Sequence, residues 1–390
     1  MGPAERHDFR RYGCGEWPGR SCSVSIRRWN VPGLSDRQAP CGSWVRIMVS
    51  ETKPKAPTIL DVAVEAGVSK SAVSRALLGQ GEVSQETRER VERAALKLDY
   101  VANAMARGLV SSHTKVLGAV LRDVTRPFYA ELQSAMQRQA ENRGYQLVTV
   151  TSASDLEVAD ALTALRGLIS LQVDGLVLAS ARLPSEDIVP YINRVPIVVA
   201  GRRETARGIT SVFCDDADGG RQLAEYVLSL RHRKVAVVVV DKSYSLSQNI
   251  RGAAMVDALE RGGITPSVWN VTNDGQAQQV VSAHLADGEV VDAIMCPTDP
   301  AAVDVLETLR EAGLSAPEDV TVTGYDGFGP LAAPFLGLTT FRQPIEEIGV
   351  SSIDMLIDKI EGRSLRDRLI ALRGDLVTGR TAAPFAKVAG

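Results

Sequence analysis

The chain has 390 residues, of which 45% are hydrophobic and 23% are charged, and its formal net charge is -3. This length allows two or three domains at roughly 100–200 residues each, and no run of about 18 apolar residues supports a membrane-spanning helix. The average conceals a gradient: residues 1–55 hold ten basic and five acidic side chains, whereas residues 116–390 hold 26 and 35. A basic front end before an acidic body is typical of nucleic-acid or membrane contact at one end of the chain.

Residues 1–57 show no helical or strand periodicity and no apolar stretch of signal-peptide length. We expect an N-terminal extension here. Either much of it lies upstream of a natural start at Met48, so that residues 1–47 are not translated, or it is a disordered basic arm. Its three cysteines lack the paired spacing of a zinc site.

Apolar residues at helical spacing predict three short helices, over residues 59–66, 70–78 and 85–98. Gly67 ends the first helix, and each helix follows a residue that can cap it. The capping residues are Thr58, Ser69 and Ser84. Two short helices joined by a tight glycine-containing turn, with a third behind them, indicate a helix-turn-helix.

The second helix points several polar side chains away from its apolar stripe. The recognition helix of this motif enters the major groove, where Arg can reach guanine acceptors and Ser or Lys can reach bases or phosphates. The alternative is a solvated face on a small helical bundle. The candidate DNA-binding residues on this face are Lys70, Ser71, Ser74 and Arg75.

The segments 58–78, 83–91 and 100–109 resemble the DNA-binding head of the LacI/GalR family of bacterial repressors. The resemblance implies that residues 58–101 form a helix-turn-helix domain whose second helix reads the operator. It also implies that residues 102–114 form a hinge helix and linker that docks in the minor groove. It assigns phosphate contacts to Ser69 and Ser74, and the hinge residues that it assigns to DNA are Asn103, Arg107 and Leu109. The alternative for Leu109 is an exposed apolar residue in a linker.

After residue 114, short apolar runs alternate with helix-length segments, which predicts an α/β body with parallel sheets in two linked lobes. The eight predicted strands are 116–121, 146–151, 174–179, 196–200, 235–240, 268–271, 292–296 and 320–324. Ligands of such folds bind at the carboxyl ends of the strands. Residues 115–390 resemble the periplasmic-binding-protein-like (type I) effector domain of the same family, a doubly wound α/β fold that binds an effector and dimerises.

The resemblance implies a candidate effector site of five residues at strand ends or on the following helices: Phe128, Tyr129, Arg251, Thr298 and Asp326. Arginine donors and aspartate acceptors that converge on one cleft suit a small polar molecule. A structural ion pair is the alternative for Arg251 and Asp326, and core packing is the alternative for Phe128.

The candidate site departs from the family pattern at three places. Thr298 and Arg126 replace asparagines that are usual in relatives, and the loop at Asp274 lacks the stacking aromatic of several sugar- or purine-binding relatives. The identity of the effector therefore stays open, with a sugar or related polar metabolite as the leading class.

Together these observations predict a cytoplasmic DNA-binding transcriptional regulator, with a repressor as the favoured form. It is expected to bind a palindromic operator as a homodimer under control of a small-molecule effector, without a membrane contact. A defensible P-loop, nucleophile elbow or metal constellation is missing from the sequence, so no catalytic residue, cofactor or metal is expected. A solute-binding protein and a sugar-processing enzyme that share the two-lobe fold are the alternatives.

Overall fold

The structure is a computed structural model that describes residues 56–78, 83–100, 113–151, 157–180, 183–363 and 369–385. The chain divides into two compact units, Met1–Val101 and Ala102–Gly390. The predicted extension up to residue 55 and the predicted hinge residues Asn103, Arg107 and Leu109 lie outside the described residues. Within the described ranges, no helix is both long and apolar enough to cross a membrane.

The first unit contains the three predicted helices. These are α1 (Ile59–Ala66), α2 (Lys70–Leu78) and α3 (Gln85–Lys97). Gly67 ends α1 with a left-handed φ of 63°, a conformation that costs glycine little. Val62, Val73 and Val91 are fully buried between the helices, and Arg90 on α3 donates to the carbonyl of the last residue of α1 at 2.8 Å. The three helices therefore form one small core with α2 held against its partners.

The second unit consists of two α/β lobes. The first lobe contains β1 (Val116–Leu121), α4 (Pro127–Asn142), β2 (Gln146–Thr151), α5 (Val158–Ser170), β3 (Gly175–Ala179), α6 (Ser185–Ile188), β4 (Ile197–Ala200) and β5 (Thr210–Cys214). The second lobe contains α7 (Asp216–Ser229), β6 (Val235–Val240), α8 (Leu246–Arg261), β7 (Ser267–Val271), α9 (Ala277–Ala286), β8 (Ala293–Met295), α10 (Asp299–Glu311) and β9 (Thr321–Thr323). The chain ends with β10 (Thr340–Arg342), α11 (Ile345–Ile360), β11 (Leu369–Leu372) and β12 (Asp375–Val377).

Both main sheets are parallel. The first lobe has six strands in the order β11-β5-β4-β3-β1-β2, and the second lobe has four in the order β7-β6-β8-β9. A third, two-stranded sheet pairs β10 with β12 in antiparallel fashion. Helices cover the sheets, so β3, β4 and β5 are buried along their whole length, as expected for parallel strands covered on both faces. The predicted two-lobe α/β architecture is confirmed.

All eight predicted strands are present, with ends that differ by no more than one residue, but the prediction of eight was too low. The described residues contain four more, namely β5, β10, β11 and β12. Each is only three to five residues long, and β5 begins with Thr210 and Ser211, which interrupt the apolar pattern. β11 joins the first sheet by pairing Leu369 with Ser211, a partner 158 residues away that local pattern cannot reveal.

Candidate functional site

The helix α2 presents the polar face that the sequence predicts. Val73 and Ala76 point into the helical core, where they are 0% and 5% exposed, respectively. Lys70, Ser71 and Arg75 are exposed on the opposite side. Residues 70 and 74 lie about one helical turn apart, as do residues 71 and 75. The four side chains therefore share a face that a DNA groove could contact.

Two of the predicted head residues also have structural contacts. Ser69 caps α2, since its Oγ accepts from the backbone N–H of Ala72 at 3.2 Å. Ser74 is half-buried at the edge of the polar face. Arg75 is exposed, and its Nε donates to the carbonyl of Ser71 at 3.3 Å.

The second unit contains a cavity of about 80 Å³ where the two lobes meet. Its lining residues follow the carboxyl ends of strands from both sheets, as expected for this architecture. All five predicted effector residues line it: Phe128, Tyr129, Arg251, Thr298 and Asp326. This volume is below the roughly 300–1,000 Å³ of sites that hold drug-sized ligands, so the cavity suits a compact molecule.

Phe128 and Tyr129 lie in the first turn of α4 and make one wall. Their rings meet edge to face with centroids 5.1 Å apart, and Tyr129 is buried in the core while Phe128 is half-buried. Gly201 allows this wall to form, because a Cβ at that position would lie 2.9 Å from the Phe128 ring. The wall therefore serves both core packing and the cavity surface.

Arg251 lies on the second turn of α8 and is held in a buried ion pair. Its Nη2 lies 2.8 Å from Oδ1 of Asp216, its Nη1 donates to the carbonyl of Pro297 at 3.0 Å, and its guanidinium stacks 3.8 Å from the Tyr325 ring centre. Burial raises the pKa of Asp216, although Arg251 opposes that change. Arg251 thus touches the cavity while it neutralises a buried carboxylate.

Asp326 follows β9 and has a φ of 140°, a backbone conformation that side chains rarely adopt. Its Oδ1 accepts from Nε2 of Gln343 at 2.8 Å and lies 3.6 Å from Nη1 of Arg251. Burial raises the pKa of Asp326 to about 8, against the opposing charge of Arg251, and the neighbouring Asp299 adds to the rise. A raised pKa favours the protonated form of this carboxyl group, which can donate as well as accept a hydrogen bond.

Thr298 caps α10 and also reaches the cavity. Its Oγ1 accepts from the N–H of Ala301 at 3.3 Å and lies 3.4 Å from Oδ2 of Asp274. Asp274 was not among the predicted site residues, yet it lines the cavity and is only 3% exposed. The missing stacking aromatic in its loop was the sequence signal that pointed to this place.

A second unpredicted feature is a polar bridge between the lobes. Arg126, from the first lobe, donates to Oδ2 of Asp274 at 2.6 Å and to the Tyr244 hydroxyl at 2.9 Å. Arg122 donates to the Tyr244 carbonyl at 2.9 Å and stacks 4.1 Å from its ring centre. These contacts join loops that lie 118 to 148 residues apart in sequence, so spacing alone could not reveal them.

The described residues contain no group of three or more His, Cys, Asp or Glu side chains that could hold a metal ion. The polar groups in the cavity instead offer hydrogen bonds and charges. The arrangement can therefore bind a small polar molecule between the lobes.

Two family models together match most of the chain. Residues 114–376 match the model described as periplasmic binding proteins and sugar binding domain of LacI family. Residues 58–103 match the model described as bacterial regulatory proteins, lacI family. The two matched segments correspond to the two described units.

Characterised relatives are similar over nearly their whole length. The HTH-type transcriptional repressor PurR of Pectobacterium atrosepticum is 29% identical over 337 residues, which cover 84% of this chain and 98% of the relative. The HTH-type transcriptional repressor CytR of Escherichia coli K12 is 27% identical over 321 residues, which cover 81% and 93%.

Solved structures show the same fold. The lac repressor dimer bound to operator and the anti-inducer ONPF superposes with a TM-score of 0.74 at 25% identity, over 84% of this chain and 100% of that one. The complex of the transcriptional regulator CelR with cellobiose gives a TM-score of 0.59 at 27% identity, with the same coverage. These matches identify a DNA-binding transcriptional regulator and not an enzyme. The chain belongs to the lacI family of bacterial regulatory proteins.

Proposed function

We propose that this protein is a repressor that binds a palindromic operator as a homodimer and changes its affinity for that operator when a small polar molecule occupies the cleft. The head, residues 58–101, supplies base and phosphate contacts, residues 102–114 supply the hinge, and residues 115–390 bind the effector and dimerise. The protein would act in the cytoplasm, where operator DNA lies.

The exposed polar face of α2 supports the DNA-binding part most directly. Lys70, Ser71 and Arg75 project from a helix whose other face is fixed in a core. We propose that they contact bases, and that Ser69 and Ser74 contact phosphate. Asn103, Arg107 and Leu109 would enter the minor groove, with Leu109 inserted between base steps. Two such heads on a dimer read two half-sites.

The cavity at the strand ends supports the effector part. Phe128, Tyr129, Arg251, Thr298 and Asp326 surround one space between lobes, and a ligand there contacts both lobes at once. It can therefore shift the equilibrium between lobe arrangements by its different affinity for each. That CelR is solved with cellobiose supports a sugar or related polar metabolite as the effector.

A matched pair of arginine variants tests operator recognition. Arg75→Ala removes a side chain from the α2 face, and Arg93→Ala removes one from α3 that likewise donates to the carbonyl four residues earlier, at 3.3 Å in each case. With genomic fragments selected by the full chain, Arg75→Ala should weaken binding about 5- to 150-fold, as for loss of a base contact, and Arg93→Ala should change it little. Equal effects of the two variants, or no sequence preference in the wild type, would contradict the proposal.

A further inference from the structure

The wall of the cavity formed by the second lobe contains two buried hydrogen-bond acceptors without a donor. Among the described residues, no donor reaches Oδ1 of Asp274 or Oε1 of Gln248. Both side chains line the cavity, and Asp274 is 97% buried. A buried acceptor left without a donor is costly, so two on one wall point to a ligand that supplies donors.

The neighbouring contacts fix the direction of both acceptors. Arg126 and Thr298 approach Oδ2 of Asp274, at 2.6 and 3.4 Å, which leaves Oδ1 as the oxygen without a donor among the described residues. Nε2 of Gln248 lies 3.5 Å from the same Oδ2. Because the carboxylate attracts the amide NH₂ and repels its oxygen, Oε1 of Gln248 is the atom turned away from Asp274.

The cations of the cavity, by contrast, already face protein acceptors. Arg126 donates to Asp274 and Tyr244, and Arg251 pairs with Asp216 and Pro297. The third arginine of the lining, Arg122, donates to the Tyr244 carbonyl. An anionic ligand would have to share these guanidinium groups with their present acceptors and also approach the carboxylate of Asp274. A dianionic phosphate group supplies no hydrogen-bond donor, so the unpaired acceptors favour a ligand that carries hydroxyl or N–H groups.

We propose that Asp274 and Gln248 determine effector specificity by accepting hydrogen bonds from the ligand, and that they select a compact uncharged molecule rich in hydroxyl or N–H groups over its phosphate ester. This inference rests on the proposed effector role of the cleft. Arg126 acts as a positioning residue, since it holds Oδ2 of Asp274 and so aims Oδ1.

The test uses calorimetric titration of the full chain with neutral compounds and their phosphate esters. The pairs are D-ribose and ribose 5-phosphate, D-glucose and glucose 6-phosphate, and glycerol and glycerol 3-phosphate. At least one neutral member should bind, and more tightly than its ester. A preference for the ester in every pair that binds, or the failure of all neutral members to bind, would overturn the proposal.

Three variants distinguish a change in ligand preference from a general effect on folding. Asp274→Asn should weaken the neutral compound about tenfold or more, as for a hydrogen bond to a charged group, and should strengthen the ester because Arg126 loses its anionic partner. Gln248→Met should weaken the neutral compound about three- to tenfold. Asp292→Asn removes a buried carboxylate outside the cavity, where it accepts from the N–H groups of residues 233 and 234, and should leave the preference unchanged. An unaltered neutral-to-ester ratio in Asp274→Asn would refute the assignment.

Operator binding by the same preparations distinguishes failure of this inference from failure of the proposed function. If the wild type binds operator DNA and responds to an ester rather than to a neutral compound, this inference fails while the proposed function stands. If the wild type binds no DNA sequence specifically, the proposed function itself fails.

Discussion

The buried ion pair at Arg251 yields the most quantitative prediction. Arg251 and Asp216 are 4% and 5% exposed, and their closest N–O distance is 2.8 Å. Arg251→Met keeps much of the side-chain volume but leaves the carboxylate of Asp216 buried without a counter-charge. Breaking a buried pair from one side typically costs about 3–5 kcal/mol, a large part of the roughly 5–15 kcal/mol by which domains are stable.

The pH dependence of this loss follows from the direction of the pKa change. Burial already raises the pKa of Asp216, and removal of Arg251 raises it further, because the opposing positive charge is gone. The loss of stability should therefore be greatest at alkaline pH and should shrink as acid protonates Asp216 in the variant. The double variant Asp216→Asn with Arg251→Met should recover much of the loss.

Urea unfolding of the full chain, followed by circular dichroism, measures these differences. Arg261→Met is the matched control, since Arg261 pairs with Asp257 at 2.7 Å on the surface, with side chains 61% and 66% exposed, and such pairs contribute under about 1 kcal/mol. A loss in Arg251→Met no larger than in this control, or a double variant as unstable as Arg251→Met, would refute the reasoning.

Three further predictions concern the effector unit. The carboxylate of Asp174 accepts from two backbone N–H groups where the chain enters the first lobe, at 2.7 and 3.0 Å. Asp174→Ala should therefore leave the affinity for the ligand, measured by calorimetry, within about twofold of the wild-type value. It should also reduce the ligand's effect on operator affinity at least fivefold. An undiminished effect on operator affinity would contradict this prediction. The pKa of Asp326 near 8 lies above that of an unfolded aspartate, so the folded state holds the extra proton between about pH 4 and 8 and loses stability as pH rises. The wild-type stability should fall relative to Asp326→Asn by up to about 1.4 kcal/mol per pH unit from pH 5 to 7 and level off above pH 8, whereas parallel profiles in urea unfolding would disprove it. Gly219→Ala should destabilise the unit by about 1–3 kcal/mol, because a Cβ would lie 2.2 Å from a buried tyrosine hydroxyl. Gly167→Ala, on a helix with nothing within 4 Å of its Cβ, should stabilise by about 0.5–1 kcal/mol; thermal melts that give both changes the same sign would contradict the packing argument.

Much of the fold could be predicted because local pattern and tertiary structure agree. The strands β1 and β6 are continuous apolar runs buried on both faces, and the caps of α1 and α3 are visible as Thr58 and Ser84. The strand β11 was missed because its partner, β5, is distant in sequence and its exposed Leu369 gives a weak signal.

Part of the candidate cleft could also be predicted, because the positions of strand ends follow from local sequence pattern. Residues that follow parallel strands must meet at one edge of the sheets, so the order of elements together with the family resemblance placed Thr298 and Asp326 in one cleft. The bridge from Arg126 to Asp274 could not, since it depends on how closely the two lobes approach. The open acceptors at Asp274 and Gln248 likewise follow only from the side-chain contacts.

Operator affinity measured with and without a cleft ligand would show whether occupancy of the cleft controls DNA binding. Fluorescence anisotropy would follow binding of the full chain to a selected palindromic fragment, at several salt concentrations, with a compound shown to bind the protein by calorimetry. We predict sequence-specific binding that weakens steeply with salt and a ligand-induced change of at least fivefold in Kd. Binding that shows no sequence preference, or a Kd that the bound ligand leaves unchanged, would contradict the account.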